Sequence, residues 1–528
     1  MSNLVRVYDA TLRDGRQGVG FNLSLAGMCQ VATLLDRVGV DYIEAGWPGA
    51  DKLWDDFMAV IGRGELSLVN SKLVSFGSTR RAKLTVETDE LLRKVVDAPV
   101  PVVTLFGKCW DRHVIDALQT SLETNLQMVE QSCRFASLAG KEVIFDAEHF
   151  FQGYLEGDRS YSLDVLNAAC QGGATTLALC DTNGIAYPWD IEIVLADVTK
   201  RFGSVATIGV HLHNDRGMAD ANTLKAIRCG ARHLQGTFNG HAERSGMAST
   251  ATILANLHLK GQDWRVQLSP SFTPEQLTSV SHEINALAGL RANHCQPFVG
   301  NSTAAHVAGV HTSALGRGGG KMYQSHDPLI FGQSPRIVLS SLAGRASVVA
   351  FAHSMLKTEV TDQQTCQILD LIVVNESKGY RYDTCSASST LLVARCLWPD
   401  RHYPLENVGG FVHSSLESSS SGSIANIRSD DGRLRAGEGN GPVDAIANAI
   451  LWSLADSHPA RELRFVRYDP HQLADQPGSS ATMRVEVTWH HPMLGELVTQ
   501  GVSPNILKAS ELAVVEAVQY VSLMSNIE

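Results

Sequence analysis

Leu4-Val5-Arg6-Val7-Tyr8-Asp9-Ala10, followed at once by Thr11-Leu12-Arg13-Asp14-Gly15, is the stretch on which the fold turns. Its first seven residues form a short β-rich apolar run. A doubly wound open sheet would follow such a first strand with a GxGxxG phosphate turn, whereas here the strand leads into Thr-Leu-Arg-Asp-Gly. Seven similar runs follow, at Tyr42 to Gly46, Lys72 to Phe76, Val100 to Phe106, Lys141 to Asp146, Thr175 to Cys180, Thr207 to Leu212 and Arg232 to Thr237. Between them lie segments with apolar residues every three or four positions, among them Leu25 to Val38, Val114 to Ala139, Asp190 to Phe202 and Ala219 to Cys229. That spacing belongs to helices packed on a sheet. Alternating strands and helices imply a parallel sheet, and eight such units in about 250 residues is the count of a closed (β/α)8 TIM barrel, an α/β fold, over residues 1–268.

Beyond residue 268 the rhythm stops. Residues 269–364 read as a helical, loop-rich linker, with Gly316 to Gly320 as a mobile connection. From residue 365 to 528, alternating apolar segments such as Ala481 to Val487 and helices such as Val443 to Leu454 and Ser510 to Leu523 predict a separate α+β domain, interrupted by the Ser-rich stretch Ser414 to Ser423.

Composition narrows the function. With 44 Lys+Arg against 55 Asp+Glu, the net charge of −11 argues against nucleic acid or an anionic membrane as partner, because both draw affinity from clustered positive charge. The 10 cysteines are scattered, without a CxxC pair or a tight His/Cys cluster, which is neither a disulfide framework nor a zinc finger. No run of about 18 uncharged apolar residues occurs and the amino terminus has no signal-like pattern, so a cytoplasmic protein is expected.

In a barrel, reacting groups come from the carboxyl ends of strands. Arg13 and Asp14 follow the first strand, Glu44 ends the second, Glu148 and His149 follow the fifth, Asp181 and Thr182 the sixth, and His211, His213, Asn214 and Asp215 the seventh. His211 and His213 are two apart on a strand, so both imidazoles share one face and can share one divalent ion; a hydrogen-bonded polar rim is the alternative. Asp14 from another strand end would complete a mixed His/carboxylate set with open positions. Arg13 beside it is either a fixed charge for a developing alkoxide or an ion pair of little consequence.

Three blocks in order, Tyr8-Asp9-Ala10-Thr11-Leu12-Arg13-Asp14-Gly15-Arg16-Gln17, His211-Leu212-His213-Asn214-Asp215 and Gly240-His241-Ala242-Glu243-Arg244-Ser245-Gly246, resemble the signatures of the acyl-CoA condensing family that contains 2-isopropylmalate, citramalate and homocitrate synthases. Further stretches look most like its citramalate synthase branch: Ile43 to Gly49, Phe76 to Arg81, Phe106 to Lys108, Asp146 to Phe151 and Leu179 to Gly184. In the tail, Gly441 to Ala445 and Gly501 to Ile506 resemble the family's carboxyl-terminal regulatory and dimerisation domain. The resemblance implies an acyltransferase that condenses acetyl-CoA with a 2-oxo acid, most simply pyruvate to give citramalate, and releases CoA. It implies Asp14, His211 and His213 as ligands of a divalent metal ion (Mg²⁺, Mn²⁺ or Zn²⁺), Arg13 at the substrate oxygen, Glu148 as an active-site carboxylate and Thr182 near the oxo acid. His311 and Tyr323 match residues that the linker lends to a neighbouring subunit's site, which implies a homodimer.

The chain departs from that pattern at four places. Met247 stands where many synthases have a metal-binding Asn, and a thioether is a poor ligand for a hard cation. Gln152, Ile185 and Arg16 also differ from the branch's usual residues. These changes raise the prospect of another acceptor, 2-oxoisovalerate, 2-oxoglutarate or a phosphonate-bearing oxo acid, whose extra anionic group Arg16 would bind. A metal-dependent carbon-carbon lyase and a non-catalytic paralogue are the remaining alternatives.

Overall fold

The computed structural model describes residues 3–306, 324–334, 336–405, 409–413, 416–417, 420–428, 434–473 and 481–526. His311, Tyr323 and the Gly316 to Gly320 run lie outside the described residues.

Eight parallel strands close into a barrel in sequence order: β1 (Arg6–Asp9), β2 (Tyr42–Gly46), β3 (Lys72–Ser78), β4 (Val102–Lys108), β5 (Glu142–Glu148), β6 (Thr176–Asp181), β7 (Thr207–Leu212) and β8 (His233–Gly236). Closure comes from β1 pairing β8 in the register Arg6 to His233 through Asp9 to Gly236. The helices between them are α1 (Leu25–Val38), α2 (Lys52–Gly62), α3 (Glu90–Val96), α4 (Leu122–Leu138), α5 (Phe150–Glu156), α6 (Arg159–Gln171), α7 (Pro188–Phe202) and α8 (Ala219–Arg228), with α9 (Thr250–Lys260) after β8. Helix α1 spans the predicted residues because Ser24 Oγ accepts from the Gly27 amide at its start and Gly39, at φ 89°, ends it in the left-handed region. The predicted helix from Val114 to Ala139 is instead two elements. A short turn over His113–Ala117 ends before Gln119, which sits at φ 53°, and α4 starts afresh where Ser121 Oγ accepts from the Thr124 amide.

The barrel interior has two storeys. Tyr8, Ala10, Tyr42, Val74, Val102 and Ile144 form a buried apolar cluster. Toward the carboxyl ends it gives way to buried polar groups, among them Glu44, Asp146, His211 and Gln235. Polar groups at that depth persist only when each finds partners, so this end is where chemistry is expected.

The described residues fall into two compact units that part at Thr303, with Pro328–Ser334 returning to the first. The stretch read as a linker is thus shared: α10 (Leu277–Leu287) lies in the barrel unit and the helix Arg345–Leu356 in the second. The second unit adds the helices Asp362–Ser377 and Ser386–Leu397 and two three-stranded antiparallel sheets. Gly409–His413, Ser423–Arg428 and Leu434–Gly439 form one sheet; Arg464–Gln472, Met483–His491 and Gly495–Ser503 form the other. The helices Pro442–Ser453 and Ile506–Met524 share a core with them around Trp489, Val485, Val514 and Val518. This is the expected α+β architecture.

Candidate active site

The turn after β1 is set by its own short polar residues. The Thr11 amide donates to Asp9 Oδ1 at 2.9 Å, a side-chain turn that the Asp supplies locally. The Arg13 and Gly15 amides both donate to the Ala10 carbonyl, at 3.0 and 3.2 Å. Arg13 and Asp14 are thereby held at the rim, both buried. Arg13 Nε donates to Glu44 Oε2 at 3.0 Å, its Nη1 lies 3.2 Å from Asp14 Oδ2, and its guanidinium rests 3.8 Å from the centre of the Phe76 ring.

Opposite, β7 carries His211, with His213 just beyond its end. Their Nε2 atoms face each other at 3.3 Å, and Asp14 Oδ2 is 3.4 Å from that of His211. The donor atoms of the three side chains all lie within 4.8 Å of one another, the only His, Cys, Asp or Glu group of this kind among the described residues. His213 Nδ1 is buried without a hydrogen-bond partner. Two buried ring nitrogens turned toward each other beside a carboxylate fit a divalent cation, to which they would offer three donor atoms from one side. Met247 is buried and pairs its backbone with His213 across a single bridge. Its thioether adds nothing for a hard cation, so a cation held by Asp14, His211 and His213 would keep positions open for water and substrate.

The charges reinforce one another. Burial works against ionising Asp14, but Arg13 and the two histidines more than offset it and hold its carboxyl well below the usual range. Burial pushes Glu44 up to about 7 against the pull of Arg13. His213 is pushed down to about 4 by burial and by its neighbour His211. His211 moves the other way: burial lowers it, but the adjoining Asp14 raises it more.

A cavity of about 200 Å³ opens above these groups. It brings together Arg13, Asp14, Glu148, Thr182, His211 and His213, from four strand ends. Glu148 Oε2 lies 2.6 Å from Lys108 Nζ. Thr182 Oγ1 accepts from the His149 amide at 2.9 Å, and its carbonyl accepts from Arg244 Nη2 at 2.7 Å. Arg16 is not in this wall. It pairs with Asp51 at 3.1 Å and lies over Trp54, while its neighbour Gln17 faces the cavity. Successive residues of a 3₁₀ turn, Gly15–Gln17 here, point about 120° apart, so sequence adjacency to Asp14 does not bring Arg16 to the mouth.

No site role was expected of Trp47, Phe76, Phe106, Cys180 and Asp146, which also line the cavity, or of Gln235, which is bonded to Asp146. The period of two could have found the last pair, since Asp146 shares a face with Glu148 on β5, and Gln235 with His233 on β8.

Residues 4–284 match the HMGL-like family and residues 399–522 the LeuA allosteric (dimerisation) domain. The chain is 36% identical over 529 residues to an (R)-citramalate synthase of Aquifex aeolicus, covering 98% of each chain. It is 35% identical to an (R)-citramalate synthase of Geobacter sulfurreducens, covering 98% of this chain and 97% of the relative. Among solved structures it is similar to an HMG-CoA lyase of Bacillus subtilis, at 22% identity and a TM-score of 0.47, covering 56% of this chain and 99% of the lyase.

Proposed function

We propose, from the premise that this chain belongs to the HMGL-like family, that it is an acyltransferase condensing acetyl-CoA with pyruvate to give citramalate and free CoA. The observation that carries the reading is the small cavity in which Arg13, Asp14, His211, His213, Glu148 and Thr182 meet. Near-full-length similarity to (R)-citramalate synthases supports the same acceptor.

Asp14, His211 and His213 would hold a divalent ion, Mg²⁺, Mn²⁺ or Zn²⁺, which when bound supplies Lewis acidity toward the keto group and orients the acid. Thr182, on the same wall, would contact the carboxylate of the oxo acid. The acetyl methyl loses a proton to a base, for which Glu148 is the candidate on the described wall and His311 with Tyr323 the candidates from the linker. The new carbon-carbon bond forms at the keto carbon, whose oxygen gains negative charge. Arg13, already fixed by Glu44 and Phe76, meets that charge without having to reorganise, which is how a preformed donor lowers a barrier. Protonation of the alkoxide and attack of water on the thioester then release citramalate and CoA.

The walls favour a small acceptor. Trp47, Phe76 and Phe106 pack edge-on or stacked with ring centres 5.3 to 6.0 Å apart and offer an apolar surface suited to a methyl group. A second carboxylate would be stranded there, and Arg16, the cation expected to meet one, is bound to Asp51. The dimerisation domain supports a homodimer. Free thiol should appear when purified protein meets acetyl-CoA and pyruvate, and cease when a chelator removes the metal. No release with pyruvate, but release with another oxo acid, would reject the acceptor.

A further inference from the structure

We infer that Gln235 is a positioning residue that sets the tautomer of His211 and so aims its lone pair at the cation; this deepens the metal site of the proposed function and rests on it. Gln235 sits on β8 and is fully buried. Its Nε2 donates to Asp146 Oδ1 at 2.7 Å and faces His233 Nε2 at 3.4 Å, and its Oε1 lies 2.8 Å from His211 Nδ1.

These contacts leave one consistent reading. A carboxylate can only accept, so the amide end facing Asp146 must be the N–H₂ end. That end carries two protons, one for Asp146 and one for the His233 ring nitrogen. The carbonyl oxygen must then face His211, and since an oxygen can only accept, His211 Nδ1 must carry the proton. On the neutral ring, the form that binds a cation, the lone pair is therefore on Nε2, the atom 3.4 Å from Asp14 Oδ2 and 3.3 Å from His213 Nε2. A histidine ligand is commonly fixed in this way by whatever receives its other N–H. Here the relay runs from a carboxylate on β5 through an amide on β8 to a ligand on β7, so the preference is built into the barrel wall and does not wait for the metal.

The test uses the full-length protein and Mn²⁺. Metal-free protein labelled with ¹⁵N-histidine, titrated upward in pH until the His211 ring is neutral, should keep the remaining proton on Nδ1, a signal identified by its loss in His211→Asn. Gln235→Leu should lose that fixed tautomer and bind Mn²⁺ roughly 10- to 100-fold more weakly. A neutral His211 ring that keeps its proton on Nε2 in the metal-free parent, or unchanged Mn²⁺ affinity in Gln235→Leu, would overturn the assignment. The parent's spectrum decides the point even where Gln235→Leu does not fold. A parent that binds no Mn²⁺ would instead overturn the metal site itself, and this role with it.

Discussion

Arg13 and Glu44 form a buried ion pair across the first two strand ends, Nε to Oε2 at 3.0 Å, with the Arg13 side chain 8% exposed and that of Glu44 0%. The pair is costly to desolvate and costly to break, since removing one partner strands the other charge. It fixes the orientation of the guanidinium that the proposed mechanism needs.

Substituting Glu44→Gln should therefore reduce turnover more than stability. Burial raises Glu44 to about 7, so its charge adds no net stability near neutral pH, and Asp14 still neutralises part of the Arg13 charge; chemical denaturation should therefore show only a small change. Turnover should fall further than the remaining folded fraction explains, because Arg13 is no longer held in place.

Arg13→Ala should lower kcat by about 10²- to 10³-fold, the range for losing one preorganised donor to a developing oxyanion, with KM for the oxo acid changed much less. Arg13→Lys should not restore it, because a point charge cannot hold Glu44 and Asp14 through separate nitrogens while lying flat on Phe76. Steady-state kinetics with varied oxo acid checks both.

Phe106→Ala should relax the choice of acceptor. An added or missing methylene in an apolar pocket changes discrimination by roughly 10- to 200-fold. The ratio of kcat/KM for 2-oxoisovalerate to that for pyruvate should rise within that range. An unchanged ratio would mean that this ring does not bound the acceptor.

The pH dependence of stability follows from His233, buried beneath the site against Tyr8 and Tyr42. Burial pushes it down to about 3. In the unfolded chain it titrates near 6.5, so between about 6.5 and 3 the unfolded state binds the extra proton and stability falls as the pH falls. At pH 5 the loss relative to pH 7 is about 2 kcal/mol from this residue. In His233→Gln that component should vanish from the denaturation midpoints.

The fold and much of the site could be read in the sequence because both rest on local rules. Strand β7 and helix α1 fall on the expected residues, since period-two and period-3.6 patterns are strong there and a Ser and a Gly mark the ends of α1. The break at Gln119 was hidden because the apolar spacing continues through it, although a positive φ there and the Ser121 cap that follows interrupt the helix. Asp14, His211 and His213 converge as expected because strand ends of a barrel point to one mouth. Arg16 pairs with Asp51 rather than lining the cavity, because a motif gives neighbours but not the rotation of a tight turn. Gln235 was passed over because an amide carries no charge to draw attention, although its role depends on a carboxylate 89 residues away.

The most direct measurement is the mass of the product formed when the purified, metal-loaded protein is given acetyl-CoA with equimolar pyruvate, 2-oxoisovalerate and 2-oxoglutarate. The account predicts citramalate as the dominant product, with CoA released in equal amount. Isopropylmalate or homocitrate in its place would contradict the acceptor, and no condensed product at all would contradict the chemistry.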